Sequence, residues 1–320
     1  MRGEDLLLLA HLEDPKNLTQ LAEETHRDAS RLSRVVRELE RLHLVRIDRD
    51  GREILVRRDG LAANVLTQVL QDYPHQPWAE LLTEPNLELV SFFSSPADNP
   101  LSAQLTPAAV EHRTRPYVPK TLRDASSWTG YSTDHARRLI DKLLERAILR
   151  RADDALLLAP EHVKLREFAK LYHQEWAWST LRDVSRTANP IWQLGRGILF
   201  TTREPVSGFP KGGMSLAGDH GVPVVADHHT YVRAPWMPSV SDAILQTYLE
   251  GPTRTSNVVY ACILYAKHRP PDFLDRARQY GIPIPAKLIA SYAEAPGSHT
   301  GGGFPPANEY REIARPYGVT

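Results

Sequence analysis

The sequence predicts an α+β chain in which two helical units, each closed by a β-hairpin, precede a small α/β domain and a mobile tail. Three observations carry this reading. Apolar residues Leu32, Val35, Val36, Leu39 and Leu42 step by three and four, the spacing of one buried helical stripe. Asp50-Gly51 then divides two alternating apolar runs, a strong short-range hairpin signal. The same grammar returns about 104 residues later: Leu18, Leu32, Leu39, Leu44, Val45 and Arg46 fall opposite Leu122, Ala136, Leu143, Ile148, Leu149 and Arg150.

In order, a short apolar helix spans Asp5 to Leu12, and Asn17-Leu18-Thr19 opens a second, with Asn17 or Thr19 as cap. After a break at His26-Arg27-Asp28, the third helix runs from Ala29 to His43, and the hairpin follows as Leu44–Asp48 and Glu53–Arg57. Helix, helix, turn, basic helix and basic-tipped hairpin make a winged helix-turn-helix, expected over residues 1–75. Residues 76–112 hold a linker, with Ser94 to Pro107 as loop, and a leading helix at Leu87–Phe93. The second winged helix-turn-helix occupies 113–160, with helices at Thr121–Trp128 and Thr133–Ala147, Ser132 as cap, and a shorter hairpin through Asp153-Asp154. Residues 161–295 read as the α/β domain: a long helix at Glu161–Val184, strands at Ile198–Thr201, Val222–Ala226 and Thr230–Val232, then helices at Asp242–Leu249, Ser256–Lys267, Asp272–Tyr280 and Pro285–Tyr292. Residues 296–320, rich in Gly and Pro, read as the mobile tail.

Composition narrows the function. A length of 320 residues suits two or three domains of roughly 100–150 residues. With 42% hydrophobic and 24% charged residues the chain is globular rather than disordered. No run reaches the ~20 apolar residues of a membrane span, and the acidic Gly3-Glu4-Asp5 start is not a secretory signal. The single cysteine, Cys262, rules out an intrachain disulfide and a cysteine-built zinc site; it fits a core position and a cytoplasmic location. Cations and acids balance at 39 each, and Arg supplies 31 of the cations. Two windows depart from neutrality: 10 Arg against 6 acids from Arg27 to Arg58, and 10 Arg and Lys against 4 acids from Arg113 to Arg151. Confined basic windows in a neutral chain mark contact surfaces for an anion.

The helix-turn-helix form suits DNA because its second helix fits the major groove and presents side chains to base edges. In the first unit Ser30, Arg31, Ser33, Arg34 and Arg37 are the candidate base or phosphate contacts, with Arg49 and Arg52 at the wing tip. Ser132, Thr133, His135, Arg138 and Lys142 form the parallel set, although Asp134 and Asp141 share that face. The competing reading leaves these arginines in solvated ion pairs and the winged units in protein contacts. Elsewhere the chemistry is thin. Asp219-His220 and Asp227-His228-His229 lack any metal-binding spacing, since sequence neighbours point apart. Gly208–Ser215 lacks the spacing of a phosphate loop, and Pro210 removes an amide donor. No metal, cofactor or enzymatic activity is therefore expected.

The Ala29–Arg57 block resembles archaeal winged-helix transcriptional regulators. The wider layout, with Trp78-Ala79-Glu80-Leu81-Leu82, the Gly130-Tyr131-Ser132 turn and the run Gly221–Ala226, resembles haloarchaeal regulators. The C-terminal region is similar to AbiEi-like antitoxins, which accompany a nucleotidyltransferase-type toxin. The resemblance implies a sequence-specific regulator of double-stranded DNA, in its narrower form the antitoxin and autorepressor of a toxin–antitoxin pair. A homodimer is expected, with seams at Leu61–Asp72 or Phe168–Trp178; intrachain packing of those helices is the alternative. The rival functions are a replication or mobile-element initiator and a protein-binding scaffold. Trp192, Tyr231 and Trp236, beside Arg196, Arg203 and Arg233, are the aromatics expected on a partner-binding face of the C-terminal domain.

Overall fold

The computed structural model describes residues 1–50, 53–94, 121–152, 155–194, 197–299 and 301–319. The chain divides into two compact units, Met1–Ser94 with Pro119–Thr180, and Ser95–Val118 with Leu181–Thr320. Each mixes helices with small antiparallel sheets, an α+β architecture. The expected loop and linker at 95–112, Asp153-Asp154 and Gly195-Arg196 lie outside the described residues.

In the first unit α1 (Gly3–Leu6) and a 3-10 turn lead to β1 (Lys16–Asn17), α2 (Leu18–Thr25), α3 (Ala29–Arg41), β2 (Val45–Asp50) and β3 (Glu53–Arg58). Asn17 and Gln20 form a reciprocal capping box, each side-chain oxygen accepting from the other's amide at 2.9 Å. His26, in the left-handed region, ends α2, and Asp28 caps α3. Leu32, Val36 and Leu39 line the buried side of α3, as their spacing predicts. The sheet has order β1-β3-β2, and its hairpin closes on the pair Asp50 and Glu53. Asp50 therefore belongs to the strand rather than to the turn.

α4 (Gly60–Asp72) covers this core with Ala62, Ala63, Val65, Leu66 and Val69. Arg58 stitches it down, donating from Nε to the Leu12 carbonyl at 2.7 Å and from Nη1 to Thr67 Oγ1 at 2.8 Å. The apolar face of this expected seam is thus covered within the chain, while Leu61 stays 61% exposed.

The second half of the unit comprises α5 (Trp78–Leu81), α6 (Glu84–Phe93), α7 (Leu122–Thr129), α8 (Thr133–Glu145), β4 (Leu149–Ala152) and β5 (Ala155–Leu158). Its helices match α2 and α3 residue for residue at the spacing of Leu18 to Leu122, and β4 starts where β2 does. Thr121 and Ser132 occupy the cap positions of Asn17 and Asp28. α6 is buried nearly throughout, and Phe92 meets Trp128 of α7 at 6.5 Å. α1 and α5 join the two halves so closely that a Cβ at Gly3 would sit 2.2 Å from the Ala79 carbonyl oxygen. The long helix α9 (Val163–Val184) follows, with Phe168 and Tyr172 buried.

The second unit is built on a sheet of order β6-β7-β8, from β6 (Asn189–Leu194), β7 (Gly197–Thr202) and β8 (His229–Arg233). Around it lie α10 (Gly213–Ala217), α11 (Val240–Glu250), α12 (Thr255–His268), α13 (Phe273–Tyr280), α14 (Pro283–Glu294) and α15 (Ala307–Ala314). Two expectations are corrected here. Val222–Ala226 is not a strand: Pro223 lacks an amide for a ladder, the Val222 amide goes to the Ala217 carbonyl, and Val225 is fully exposed. Its place beside β7 is taken by β6, an edge strand whose register shifts between Pro190 and Trp192. Nor do residues 301–319 behave as a tail. α15 buries Tyr310 at 5.3 Å from the Tyr292 ring, and Tyr292 donates its hydroxyl to the Pro305 carbonyl. Gly303 serves close approach: a Cβ there, at φ 88°, would meet Val258 at 2.7 Å.

Candidate nucleic-acid interface

The first unit presents a basic helix face. Asp28 accepts from the amides of Ser30 and Arg31 at 2.8 and 3.1 Å and also from the Ser30 hydroxyl. The Ser30 hydroxyl bond first, then those amides, hold its carboxyl below the usual carboxylate range. Ser30 therefore spends its hydroxyl on the cap, and Ser33 is half-buried. Arg31, Arg34 and Arg37 are exposed on the opposite side from the Leu32–Val36–Leu39 stripe. Arg31 Nη2 lies 3.8 Å from Glu4 Oε2, whereas Arg34 and Arg37 make no ion pair among the described residues.

Strand alternation divides the hairpin. Arg49, exposed, shares the face of Val45 and Ile47, the side that packs on the helices. Arg46 and Arg57, directly paired in register, lie on the other face. Two like charges so placed repel, and Asp48 compensates by taking the Nε of each at 2.9 Å. This triad was not among the sequence candidates, though the diagonal Arg-Asp-Arg arrangement follows once register is known. Arg52 lies outside the described residues.

In the second repeat most of the parallel set has a partner within the chain. Ser132 caps α8, its hydroxyl accepting from the His135 amide at 3.3 Å. His135 packs edge-on against Tyr131 at 5.0 Å, and Tyr131 donates to the buried Glu88 at 2.7 Å. Lys142 pairs with Glu80 at 3.0 Å and reaches the Glu80 carbonyl at 3.4 Å. The Lys142 contact also lowers the Glu80 carboxyl. Thr133 is exposed, with its hydroxyl 3.5 Å from that of Ser126. Of the predicted set, Arg138 is left exposed without an ion pair among the described residues. Because α5 precedes this unit and has no equivalent before α2, nothing in the repeat itself announced the Lys142–Glu80 pairing.

The second compact unit, Leu181 onward, carries a polar chain instead of an aromatic surface. Trp192 is 1% exposed, stacks on Tyr280 at 4.7 Å and donates to its carbonyl at 3.2 Å; Tyr231 is buried as well. Trp236 is half-buried beneath the Arg276 guanidinium at 4.8 Å. Along one side of α11, Asp242, Gln246 and Glu250 follow at four-residue steps. Arg276 and the Tyr280 hydroxyl donate to Asp242 at 2.8 and 2.7 Å, and Gln246 Nε2 donates to Tyr280 at 2.7 Å. The amides of Gly213 and Met214, from the Gly-rich stretch weighed as a phosphate loop, are occupied by Gln246 at 3.0 Å and Glu250 at 2.7 Å. His228 bridges Asp227 at 2.7 Å and Glu250 at 3.1 Å. His220 stands 5.7 Å from His268, ring to ring. Among the described residues no group of three or more His, Cys, Asp or Glu side chains is placed to hold a metal ion. No helix among them is long and apolar enough to cross a membrane.

The fold defines an α+β chain in which a helix, helix and hairpin arrangement occurs twice before a further α+β unit. The model of a haloarchaeal family, HVO_A0114, matches residues 2–61, which span α1 to the start of α4 and so the whole first repeat. No curated protein and no solved structure matches the chain.

Proposed function

We propose that the protein is a sequence-specific double-stranded DNA-binding regulator of transcription whose first winged unit reads the duplex. The observation that carries this is the pair Arg34 and Arg37, exposed on one face of α3 without an ion pair among the described residues. Guanidinium groups left open on a helix that fits the major groove match guanine edges and phosphates bidentately. Arg49, on the hairpin face that packs on the helices, extends the same basic surface toward a neighbouring groove.

The second winged unit acts as support rather than reader, because His135 and Lys142 are held by Tyr131 and Glu80. The second compact unit serves as the partner or effector module, and in the narrower antitoxin reading it would receive a nucleotidyltransferase-type toxin. One reading helix covers few base pairs, so a two-fold site requires two copies of the chain. Sequencing of DNA crosslinked to the full chain tests this. A recurrent motif supports the regulator; absence of crosslinked DNA favours a protein-binding scaffold.

A further inference from the structure

The arginine nearest the start of α3 is not open as Arg34 and Arg37 are. α1 lays its first turn against this end of the helix, and Glu4 and Asp5 meet two arginines there. Arg27 is held by three groups: its Nη2 donates to the Glu4 carbonyl at 2.8 Å and lies 3.8 Å from Glu4 Oε2, and its Nη1 donates to Asp5 Oδ1 at 3.3 Å. Asp5 is itself nearly buried and also accepts from the Arg2 amide at 3.1 Å, so this part is structural. Arg31 differs. It is 45% exposed, and it lies 3.8 Å from the 55% exposed Glu4 carboxylate. Such a pair is weak and readily exchanged, since both groups stay in water.

The N-terminal residues of a reading helix are those that meet base edges. A carboxylate parked on Arg31 therefore competes with DNA for that guanidinium. We infer that Glu4 is a specificity-determining residue which restrains Arg31 from indiscriminate phosphate contact; the inference rests on the duplex-binding reading above. Any duplex offers Arg31 phosphates, each taken at the cost of the Glu4 contact. A matching site offers the same phosphates and a guanine edge in addition, so the cost of leaving Glu4 is met in full only there. Glu4 is suited to this because its side chain is exposed, whereas Asp5 beside it is committed to Arg27 and the α1 cap.

The experiment measures binding of the full chain to a random-sequence duplex across a salt series, for the wild type, Glu4→Gln, Arg31→Ala and the double variant. Glu4→Gln should tighten binding roughly fivefold at physiological salt and steepen the slope of log affinity on log salt by about 0.9, the signature of one more phosphate contact. In the Arg31→Ala background the same substitution should change affinity by less than about twofold, since only general repulsion is then removed. Equal gains in both backgrounds would make Glu4 a plain repelling charge and overturn the inference, as would no gain in the wild-type background. Failure of every form to bind duplex would overturn the regulator reading as well. Thermal melts of the variants separate these outcomes from loss of folding.

Discussion

His43 and Ala147 occupy the same point of the two repeats and share the same left-handed backbone, at φ 52° and 56°. Each follows the second helix of its repeat, and after each the next amide turns back to a helix carbonyl, Leu44 to Leu39 and Ile148 to Leu143, at 2.9 Å. His26 and Gly130, between the paired helices, repeat the pattern at φ 52° and 73°. The same backbone geometry thus recurs at sites where three of the four residues are not glycine.

This relationship makes a stability prediction. The left-handed region costs an L-residue about 1–2 kcal/mol, against which glycine loses about 0.5–1 kcal/mol in unfolded-state entropy. Ala147→Gly, at an exposed position, should therefore stabilise the first unit by about 0.5–1 kcal/mol in urea unfolding. Ala147→Val should destabilise it, because a β-branched side chain tolerates positive φ worst.

The two repeats should contribute unequally to DNA binding. Arg34→Ala with Arg37→Ala should weaken duplex binding and lower the salt slope by about 2, one counterion for each lost phosphate contact. Arg138→Ala with Lys142→Ala should leave the affinity within about threefold, since Lys142 lies 3.0 Å from the Glu80 carboxylate and also reaches its carbonyl, a closer hold than the 3.8 Å Arg31–Glu4 contact. The reverse ranking, measured by fluorescence anisotropy, would move the interface to the second repeat.

In the second unit, Gly213→Ala tests the amide cradle. At φ 45° a Cβ there would fall 1.6 Å from Glu250 Oε1, and that carboxylate is already held by the Met214 amide and His228. Strain and displacement together should cost about 3 kcal/mol, read by thermal or denaturant unfolding. Gly208→Ala, also at positive φ but with no atom within 4 Å of its Cβ, is the control for backbone strain alone.

His228 should make that unit's stability depend on pH. Its hydrogen bond to Glu250 raises its pKa most, burial opposes, and Asp227 adds to the rise. A folded pKa above the free value of about 6.5 means that the contribution is complete below that value and is lost as pH rises through the folded pKa. The difference in Tm between the wild type and His228→Asn should therefore be largest near pH 6 and smaller near pH 9. A difference that grew with pH would contradict the imidazolium bridge.

What the sequence determined by itself was local. Caps, turns and three-four apolar spacing act over a few residues, so α2, α3 and the hairpin were legible, and so was their return in α7, α8 and β4. Three decisions rested with the tertiary structure, because each depends on residues far apart in the chain. Lys142 is paired at the surface with Glu80, 62 residues earlier, while Arg138 one turn before it stays without an ion pair among the described residues. Trp192, expected on a partner-binding face, is buried by Tyr280, 88 residues later. The Gly-Pro segment after 296 looked like a tail because its glycines and prolines prevent regular patterning, yet Tyr310 and Gly303 find partners on α14 and α12. Short-range propensity reports what a segment can form; burial is settled by which distant surface comes to cover it.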